Sequence, residues 1–375
     1  MYLIEWTWWK ALQKSAINDT DLCITSPHPG NNHRPYQSDL DDLHFESVSE
    51  RPIPPHPMYT YNAFHMDIRC GGSEEKRGII TIMTLAGILP VIYATTASAA
   101  TFAYMDIVKP HTSSTISVLL TFVMTAFSGI VNYIYFRYGF QVTRLESFTT
   151  RNLLIRFNRA TQQVHLHRPK SCGGIVTFPW RTTGSSAIDP RDDHTSLGMR
   201  QVLHWQPALT GLPHLEIAMI GKQGHGGSEL RDQWEFIRRY MEEGPESLPR
   251  PRLSTQLPSP IQAFSAQFEG LGRFFRNSSW LFKVILLLIW PAFLILGTAH
   301  WVSLMLCWRP RWPKVIREAG RPGKPVPPLT TLADYPPKVQ ERLLANADRW
   351  KLKPGKRPQE KPHTPGKRKP KAVAE

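Results

Sequence analysis

The chain has 375 residues, enough for two or three domains, and carries a formal net charge of +15 with a pI near 9.8. This charge indicates an anionic partner, either lipid headgroups or nucleic acid. The four cysteines form no CxxC pair, which argues against a disulfide framework or a structural zinc site. Because no phosphate-loop, nucleophile-elbow or metalloprotease motif occurs, the sequence predicts no catalytic residue, metal or cofactor.

Residues 1–75 are predicted to form an N-terminal arm that is partly disordered. The first residues contain three tryptophans and fit a short helix, either at a membrane interface or against the protein body, or else a frayed start. Residues 18–58 are rich in Pro, His, Asn and Asp. Such a segment buries too little apolar surface to offset its ordering entropy, so it is predicted to be a loop or disordered.

Residues 76–140 are predicted to form a transmembrane hairpin. Two apolar runs without charge, 79–105 and 116–136, are joined by a short link. At about 1.5 Å per residue each run can span the ~30 Å hydrocarbon core, and a pair of buried helices in a soluble protein is the alternative. Basic residues flank the outer ends, whereas the link holds only Lys109, balanced by Asp106. The N- and C-terminal regions are therefore predicted to be cytoplasmic.

The second run carries small and partly polar residues every four positions, at Ser117, Thr121, Thr125 and Gly129. Small residues allow helix backbones to approach closely, and hydroxyls bond between helices. This stripe is predicted to pack against the first run, and it also suits a homo-oligomer.

Residues 150–245 are predicted to form a cytoplasmic α+β domain. The segment 153–168 reads as a hairpin, GGIVTFPW as a third strand, and RQVLHWQ and PHLEIAMI as two more. An amphipathic helix follows from about Ser228 to Glu243, with Gly244 just beyond its end. Antiparallel strands followed by one helix are similar to a pleckstrin-homology-like domain.

His165 and His167 alternate with Val164 and Leu166 along one predicted strand. If the aliphatic side chains form the buried face, the histidines point to solvent. The alternative is a metal site that includes Cys172.

Residues 261–318 are predicted to be membrane-associated, first as an amphipathic stretch and then as a third apolar run, 284–307. Basic residues flank this run on both sides, and Pro291 interrupts it. On a helical wheel, the four tryptophans of this region fall within about 40° of each other; they are Trp290, Trp301, Trp308 and Trp312. This pattern favours an interfacial or re-entrant helix over a full span.

Residues 319–375 form a Pro/Lys-rich basic tail that is predicted to be mostly disordered. From Arg349 to Lys371 there are ten Lys/Arg and one acid, Glu360. Trp350 is the one Phe, Trp or Tyr among them, too few for base stacking along a strand, so attraction to anionic lipid headgroups is predicted and a specific nucleic-acid partner is not.

Two segments resemble a bacterial membrane-protein family of unknown function, the family numbered 6708. The first is the predicted hairpin with the TFPW strand, where the matching residues are Arg156, Phe157, Asn158, Arg159, Pro179 and Trp180. The second is LMLCWRPRWPKVIREAG, where they are Arg309, Pro310, Trp312 and Pro313. The similarity covers roughly 60–320, and TFPW departs from the V-P-W that is usual in the family. The resemblance implies a two-helix protein of the bacterial inner membrane, whose genes often lie near type VI secretion effectors.

These patterns predict a non-enzymatic inner-membrane protein with a cytoplasmic partner-binding domain. The resemblance adds an immunity or accessory role for a secreted effector. A membrane-permeabilising effector is the first alternative, and a membrane-bound enzyme using His165, His167 and Cys172 is the second.

Overall fold

The computed structural model describes residues 2–13, 44–72, 74–108, 114–185, 200–222, 224, 227–268 and 278–345. The architecture is α+β, with one antiparallel sheet of eight strands. The strands are β1 Met58–Tyr61, β2 His65–Cys70, β3 Leu153–Asn158, β4 Gln163–His167, β5 Ile175–Pro179, β6 Thr183–Ser185, β7 Gln201–Trp205 and β8 Glu216–Ile220. The helices are α1 Leu3–Leu12, α2 Ile79–Val108, α3 Thr115–Thr143, α4 Pro207–Thr210, α5 Gly227–Glu242, α6 Pro260–Gln267, α7 Trp280–Met305, α8 Lys314–Glu318 and α9 Pro337–Ala345. The predicted class of antiparallel strands plus helices is thus confirmed.

The strand order is β5-β4-β3-β2-β8-β7-β6, and β1 pairs with β2. The predicted start of the domain at residue 150 is therefore wrong, because β1 and β2 come from the predicted N-terminal arm. The sequence of β2 hides its strand character, since Asp67 and Arg69 look like loop residues. Both side chains are buried in the structure, so this strand has no solvent-facing side.

One face of the sheet packs against α5. Trp234, Phe236 and Tyr240 of this helix are fully buried in the main core, together with alternate side chains of the strands. The opposite side of α5 is covered as well, because the Glu235 carboxylate accepts a hydrogen bond from Val48 N at 3.1 Å. Residues 44–49 thus pack on the charged side of the helix, which the sequence pattern alone would leave in water.

Both ends of the described chain contribute to the same body. Tyr2 N donates to Leu145 O at 2.9 Å, and the Trp9 ring lies 5.6 Å from the Tyr335 ring. Leu343 of α9 is fully buried. The prediction that the tail is mostly disordered from residue 319 is therefore wrong as far as residue 345, because apolar side chains dispersed among its prolines reach the core. Residues 346–375, which hold the basic cluster, lie outside the described residues.

Helices α2 and α3 pack against each other in opposite directions. Thr96 Oγ1 lies 3.2 Å from Ser128 Oγ near the middle, and Ser117 Oγ donates to Asp106 Oδ1 at 2.5 Å nearer the link. Most other side chains of both helices are exposed. With α7, they are three helices that are long and apolar enough to cross a membrane.

The predicted packing stripe is half right. Ser117 and Thr121 face α2, and Thr121 Oγ1 donates to Asp106 Oδ2 at 2.6 Å. Thr125 is exposed, and a Cβ placed on Gly129 would meet nothing within 4 Å. A four-residue spacing drifts by about 40° per step on an α-helix. The stripe thus turns away from α2, and Ser128 replaces Gly129 in the contact.

Helix α7 runs through Pro291 without a break, so the predicted re-entrant turn is wrong. Leu287 and Leu288 point in different directions and are 72% and 75% exposed, so α7 is apolar around its circumference there. An interfacial helix has a polar face, which this part lacks. The predicted tryptophan stripe also fails: Trp290 and Trp301 lie on α7, but the helix ends at Met305, before Trp308 and Trp312.

Candidate functional site: the junction of the sheet and the apolar helices

The inner ends of α2, α3 and α7 meet the sheet at a buried arginine. Arg77 stands just before α2 and is fully buried. Its guanidinium donates to groups beside the other two helices and at the start of β3: Ser303 Oγ at 2.8 Å, Glu146 O at 3.0 Å, Cys307 Sγ at 3.1 Å, Arg151 O at 2.6 Å and Glu74 Oε1 at 3.3 Å. A buried guanidinium is costly unless its donors are satisfied, and here one side chain joins three helices to the domain.

Glu146, three residues beyond α3, caps the start of α2. Its carboxylate accepts hydrogen bonds from Gly78 N, from Thr81 N at 2.6 Å and from Thr81 Oγ1 at 2.9 Å. These backbone N–H groups have no partner inside the helix, and the negative charge complements the helix dipole. The carboxylate thereby links α3 to the first turn of α2.

Gly78 allows α7 to approach this point closely. Its φ is +111°, and a Cβ there would lie 2.6 Å from Leu296 O of α7. Only glycine is compatible with this conformation and this backbone contact.

A second polar chain crosses from α6 to α7. Gln267 Nε2 lies 3.0 Å from His300 Nδ1, and His300 Nε2 lies 3.2 Å from Glu74 Oε1. The Gln267 amide NH₂ can only donate, so His300 Nδ1 accepts. The ring proton is therefore on Nε2, which donates a hydrogen bond to the Glu74 carboxylate. Gln267 also donates to Arg77 O at 3.2 Å, which connects this chain to the arginine junction.

Beside the junction lies a cavity of about 100 Å³. Its walls come from the sheet, the segment before α6, α6 itself and the inner end of α7. Of the described residues that line it, Arg69, Arg151 and Lys222 are cationic and Glu74 is the one acid. Lys222 is exposed, so the cavity opens to solvent.

The predicted solvent-facing position of His165 and His167 is wrong. Both are buried on the second face of the sheet, the one opposite α5. The centroids of their rings lie 6.3 and 5.3 Å from the centroid of the Trp312 ring. His165 Nδ1 lies 2.9 Å from Thr177 Oγ1, and His167 Nε2 lies 3.1 Å from Arg311 O. Strand alternation correctly separates the histidines from Val164 and Leu166, but it does not show that a distant segment covers the polar face.

On this face a buried ion pair joins β2 to β3. Arg156 Nε and Nη2 bind the two Asp67 carboxylate oxygens at 2.7 and 2.8 Å, and the guanidinium lies 4.9 Å from the centre of the Trp312 ring. The two segments that carry the family resemblance therefore meet here. Arg156 of the first segment and Trp312 of the second are in direct contact.

The remaining residues of the resemblance have packing or surface positions. In the first segment Phe157 contacts Trp180 edge to face, Asn158 Nδ2 donates to Ala319 O, Arg159 N donates to Phe64 O, and Pro179 pairs with Gln163. In the second, Arg309 Nε donates to Gln256 Oε1 at 2.6 Å, Pro310 is buried, and Pro313 immediately precedes α8.

The structure does not bring together the three residues of the enzyme alternative, His165, His167 and Cys172. Cys172 lies in the main core on the first face, whereas His165 and His167 lie on the second, so the sheet separates them. Burial raises the pKa of the Cys172 thiol to about 11 and lowers the pKa of His165 to about 3. Within the described residues, no three His, Cys, Asp or Glu side chains are grouped to hold a metal ion. The absence of catalysis and of a metal stays a prediction.

The family model described as a family of unknown function, DUF6708, matches residues 215–323. The predicted resemblance to this family is confirmed over β8, α5, α6, α7 and the segment with Arg309 and Trp312. The match is narrower than the predicted 60–320 and leaves Arg156 and Trp180 outside. No curated protein and no solved structure matches the chain.

Proposed function

We propose that this chain, which matches a family of unknown function over residues 215–323, is an integral membrane protein whose α+β domain binds a protein partner at one membrane face. The observation that carries the proposal is the exposure of its three apolar helices. In an 18-residue apolar stretch of each helix, only 17% of α2, 6% of α3 and 6% of α7 is buried inside the molecule. In water such surfaces would aggregate, whereas a bilayer covers them.

The positions of the helix ends support a topology with the whole domain on one side. Helix α7 ends at the junction, so its start at Trp280 lies about 37 Å away along the helix axis. Helix α6 runs in the opposite direction beside it, since Phe264 approaches Gly297 and Phe268 stacks on Trp290. Along the chain, α6 therefore leads away from the junction, and α7 leads back to it. The segments before α6 and after α7 are both bound to the domain, since Ser254 N donates to Met58 O at 2.7 Å and Trp308 N donates to Thr149 O at 3.1 Å.

The proposed location is the bacterial inner membrane, with the N- and C-terminal regions cytoplasmic. A reporter active only in the periplasm, fused at residue 111 or after residue 375, tests this topology. We expect activity at 111 and none after 375. Activity of the C-terminal fusion would contradict it.

The partner role rests on the domain, whose sheet is covered on both faces and followed by α5; the pleckstrin-homology-like arrangement stays a prediction.

An immunity or accessory role for a type VI effector is implied by the resemblance alone. Deleting the gene beside such an effector should sensitise the strain to attack by sibling cells. Unchanged growth would remove the immunity role, and loss of membrane potential on expression would favour the permeabilising alternative.

A further inference from the structure

The cavity at the junction has an excess of positive charge. Arg151 and Lys222 line it, and Glu74, the one acid among the described lining residues, is bound by Arg77 and His300. Arg151 is held in place by three hydrogen bonds, to Leu304 O at 3.0 Å, Gln256 O at 2.7 Å and Cys307 O at 2.9 Å. Carbonyl oxygens have no net charge, so these bonds orient the guanidinium without neutralising it.

Neighbouring groups respond to the same positive field. Burial lowers the pKa of Arg151; Cys307 raises it, and the charges of Arg77 and Arg309 lower it again. Burial, and after it the charges of Lys222 and Arg252, lower the pKa of His56. The surroundings therefore favour an added negative charge at this point.

The shape of the cavity suits a small anion. Its volume of about 100 Å³ is well above the ~10–15 Å³ that one water molecule needs. Ser254, Thr255 and Gln262 add polar side chains to the wall, while Leu257 and Leu304 make one side apolar. The fixed Arg151, the exposed Lys222 and the hydroxyls together form a donor set that binds phosphate oxygens.

We propose that this cavity binds a phosphate group, with Lys222 and the preoriented Arg151 contacting its oxygens. Leu304 on the wall belongs to α7, just where this helix leaves the domain. A lipid phosphate would lie at this level of the molecule, and that source rests on the membrane anchoring proposed above. The anion site itself does not depend on it, since a free phosphate has the same chemistry.

The test uses the full chain and two probes. In neutral detergent, thermal unfolding is followed against inorganic phosphate, with chloride at matched ionic strength as reference. In nanodiscs, phosphatidylcholine alone is compared with phosphatidylcholine plus phosphatidylglycerol. Lys222→Gln removes one charge at the mouth, Thr255→Trp blocks the opening without changing charge, and Lys338→Gln removes an exposed charge on α9 as the matched control.

We expect phosphate, anionic lipid or both to raise the unfolding temperature of the native chain. Lys222→Gln should weaken the apparent affinity about fivefold, as expected for loss of one basic contact, and Thr255→Trp should abolish the effect. A response to lipid alone assigns a headgroup, whereas a response to phosphate alone assigns a soluble ligand. No stabilisation by either probe, or equal effects of Lys222→Gln and Lys338→Gln, would overturn the site. Membrane fractionation of the native chain reports separately on anchoring.

Discussion

The burial of the ion pair between Arg156 and Asp67 depends on a segment far along the chain, the one that carries Trp312. The pair is buried below Trp312, with exposed side-chain fractions of 6% and 4%. Removing one partner of such a pair leaves an uncompensated buried charge. We therefore expect Asp67→Asn to lower the free energy of unfolding by about 3–5 kcal/mol in a denaturant titration in detergent.

Lys324 and Glu318 provide the matched control, because their contact of 3.4 Å is partly exposed, with 47% and 22% of the side chains accessible. Glu318→Gln should cost less than about 1 kcal/mol. Equal losses for Asp67→Asn and Glu318→Gln would show that the buried pair contributes no more than a surface contact.

The burial of His165 predicts that stability depends on pH. Burial, followed by the charges of Arg156 and His65, lowers its pKa from 6.5 to about 3. Between these values the unfolded chain binds the proton and the folded chain does not, so stability falls as pH falls from 6.5 towards 3. His165→Asn should flatten this slope by up to a few kcal/mol over the interval, measured by urea unfolding at several pH values.

Thr177→Val is the control for that experiment. It removes the 2.9 Å contact with His165 Nδ1 but keeps the imidazole. It should lower stability at every pH without changing the slope. A wild-type slope in His165→Asn would exclude this histidine as a source of the pH dependence.

Alternation along β4 was enough to divide its side chains between two faces, because the period of two follows from the strand itself. It could not show that the histidine face is buried, since the cover comes from Arg311 and Trp312, far along the chain. The cavity was equally hidden, although Lys222 belongs to a glycine-rich loop. Its lining joins residues from five separated parts of the sequence.

At the scale of elements, the contact between α2 and α3 depends on which hydroxyls face the partner helix. Thr121 donates to Asp106, whereas Thr125 is exposed. Thr121→Val should destabilise the pair by about 0.6–2 kcal/mol, and Thr125→Val should have little effect, in unfolding titrations from mixed micelles. Equal losses for the two variants would place the contact along the whole four-residue stripe, and a larger loss for Thr125→Val would contradict the observed packing.

The approach of α7 to the start of α2 gives a second prediction. Gly78→Ala forces a Cβ to within 2.6 Å of Leu296 O at a φ of +111°. We expect a loss of more than about 2 kcal/mol and a lower unfolding temperature. Gly87→Ala lies where a Cβ meets nothing within 4 Å, so it should be nearly neutral. A neutral Gly78→Ala would show that α7 does not pack there.

The sequence predicts long helices well, because uncharged apolar runs leave few alternatives. It predicts their ends and relations less well. Pro291 has no backbone N–H and was predicted to interrupt the helix. Helix α7 nevertheless continues through it, as apolar helices that span membranes often do. The tryptophan stripe assumed a helix beyond Met305, where the chain instead crosses the sheet.

At the scale of the whole molecule, anchoring and charge are separate properties. The ten Lys/Arg between Arg349 and Lys371 lie beyond the last described residue, Ala345. A chain truncated after Ala345 should stay in the membrane fraction after alkaline or high-salt washing, because the apolar helices hold it there. Release of the truncated chain by salt would show that the tail, not the helices, provides the attachment.

The domain boundary was the least predictable feature at this scale. β2 precedes the two long helices and β3 follows them, yet they pair along their full length, from His65↔Asn158 to Cys70↔Leu153. A sheet whose neighbouring strands are separated by an inserted hairpin has no local signature. Composition could identify the hairpin, but not that the domain is built around it.

This insertion also sets the order in which the molecule is made. During synthesis β2 leaves the ribosome before α2 and α3, and its partner β3 emerges only after both. Arg77 must wait longer still, until Ser303 arrives near the end of α7. In a chain anchored as proposed, the two long helices therefore reach the membrane while the sheet is incomplete. During that interval β2 lacks β3, its full-length partner, and an unpaired strand edge of this kind is prone to aggregation.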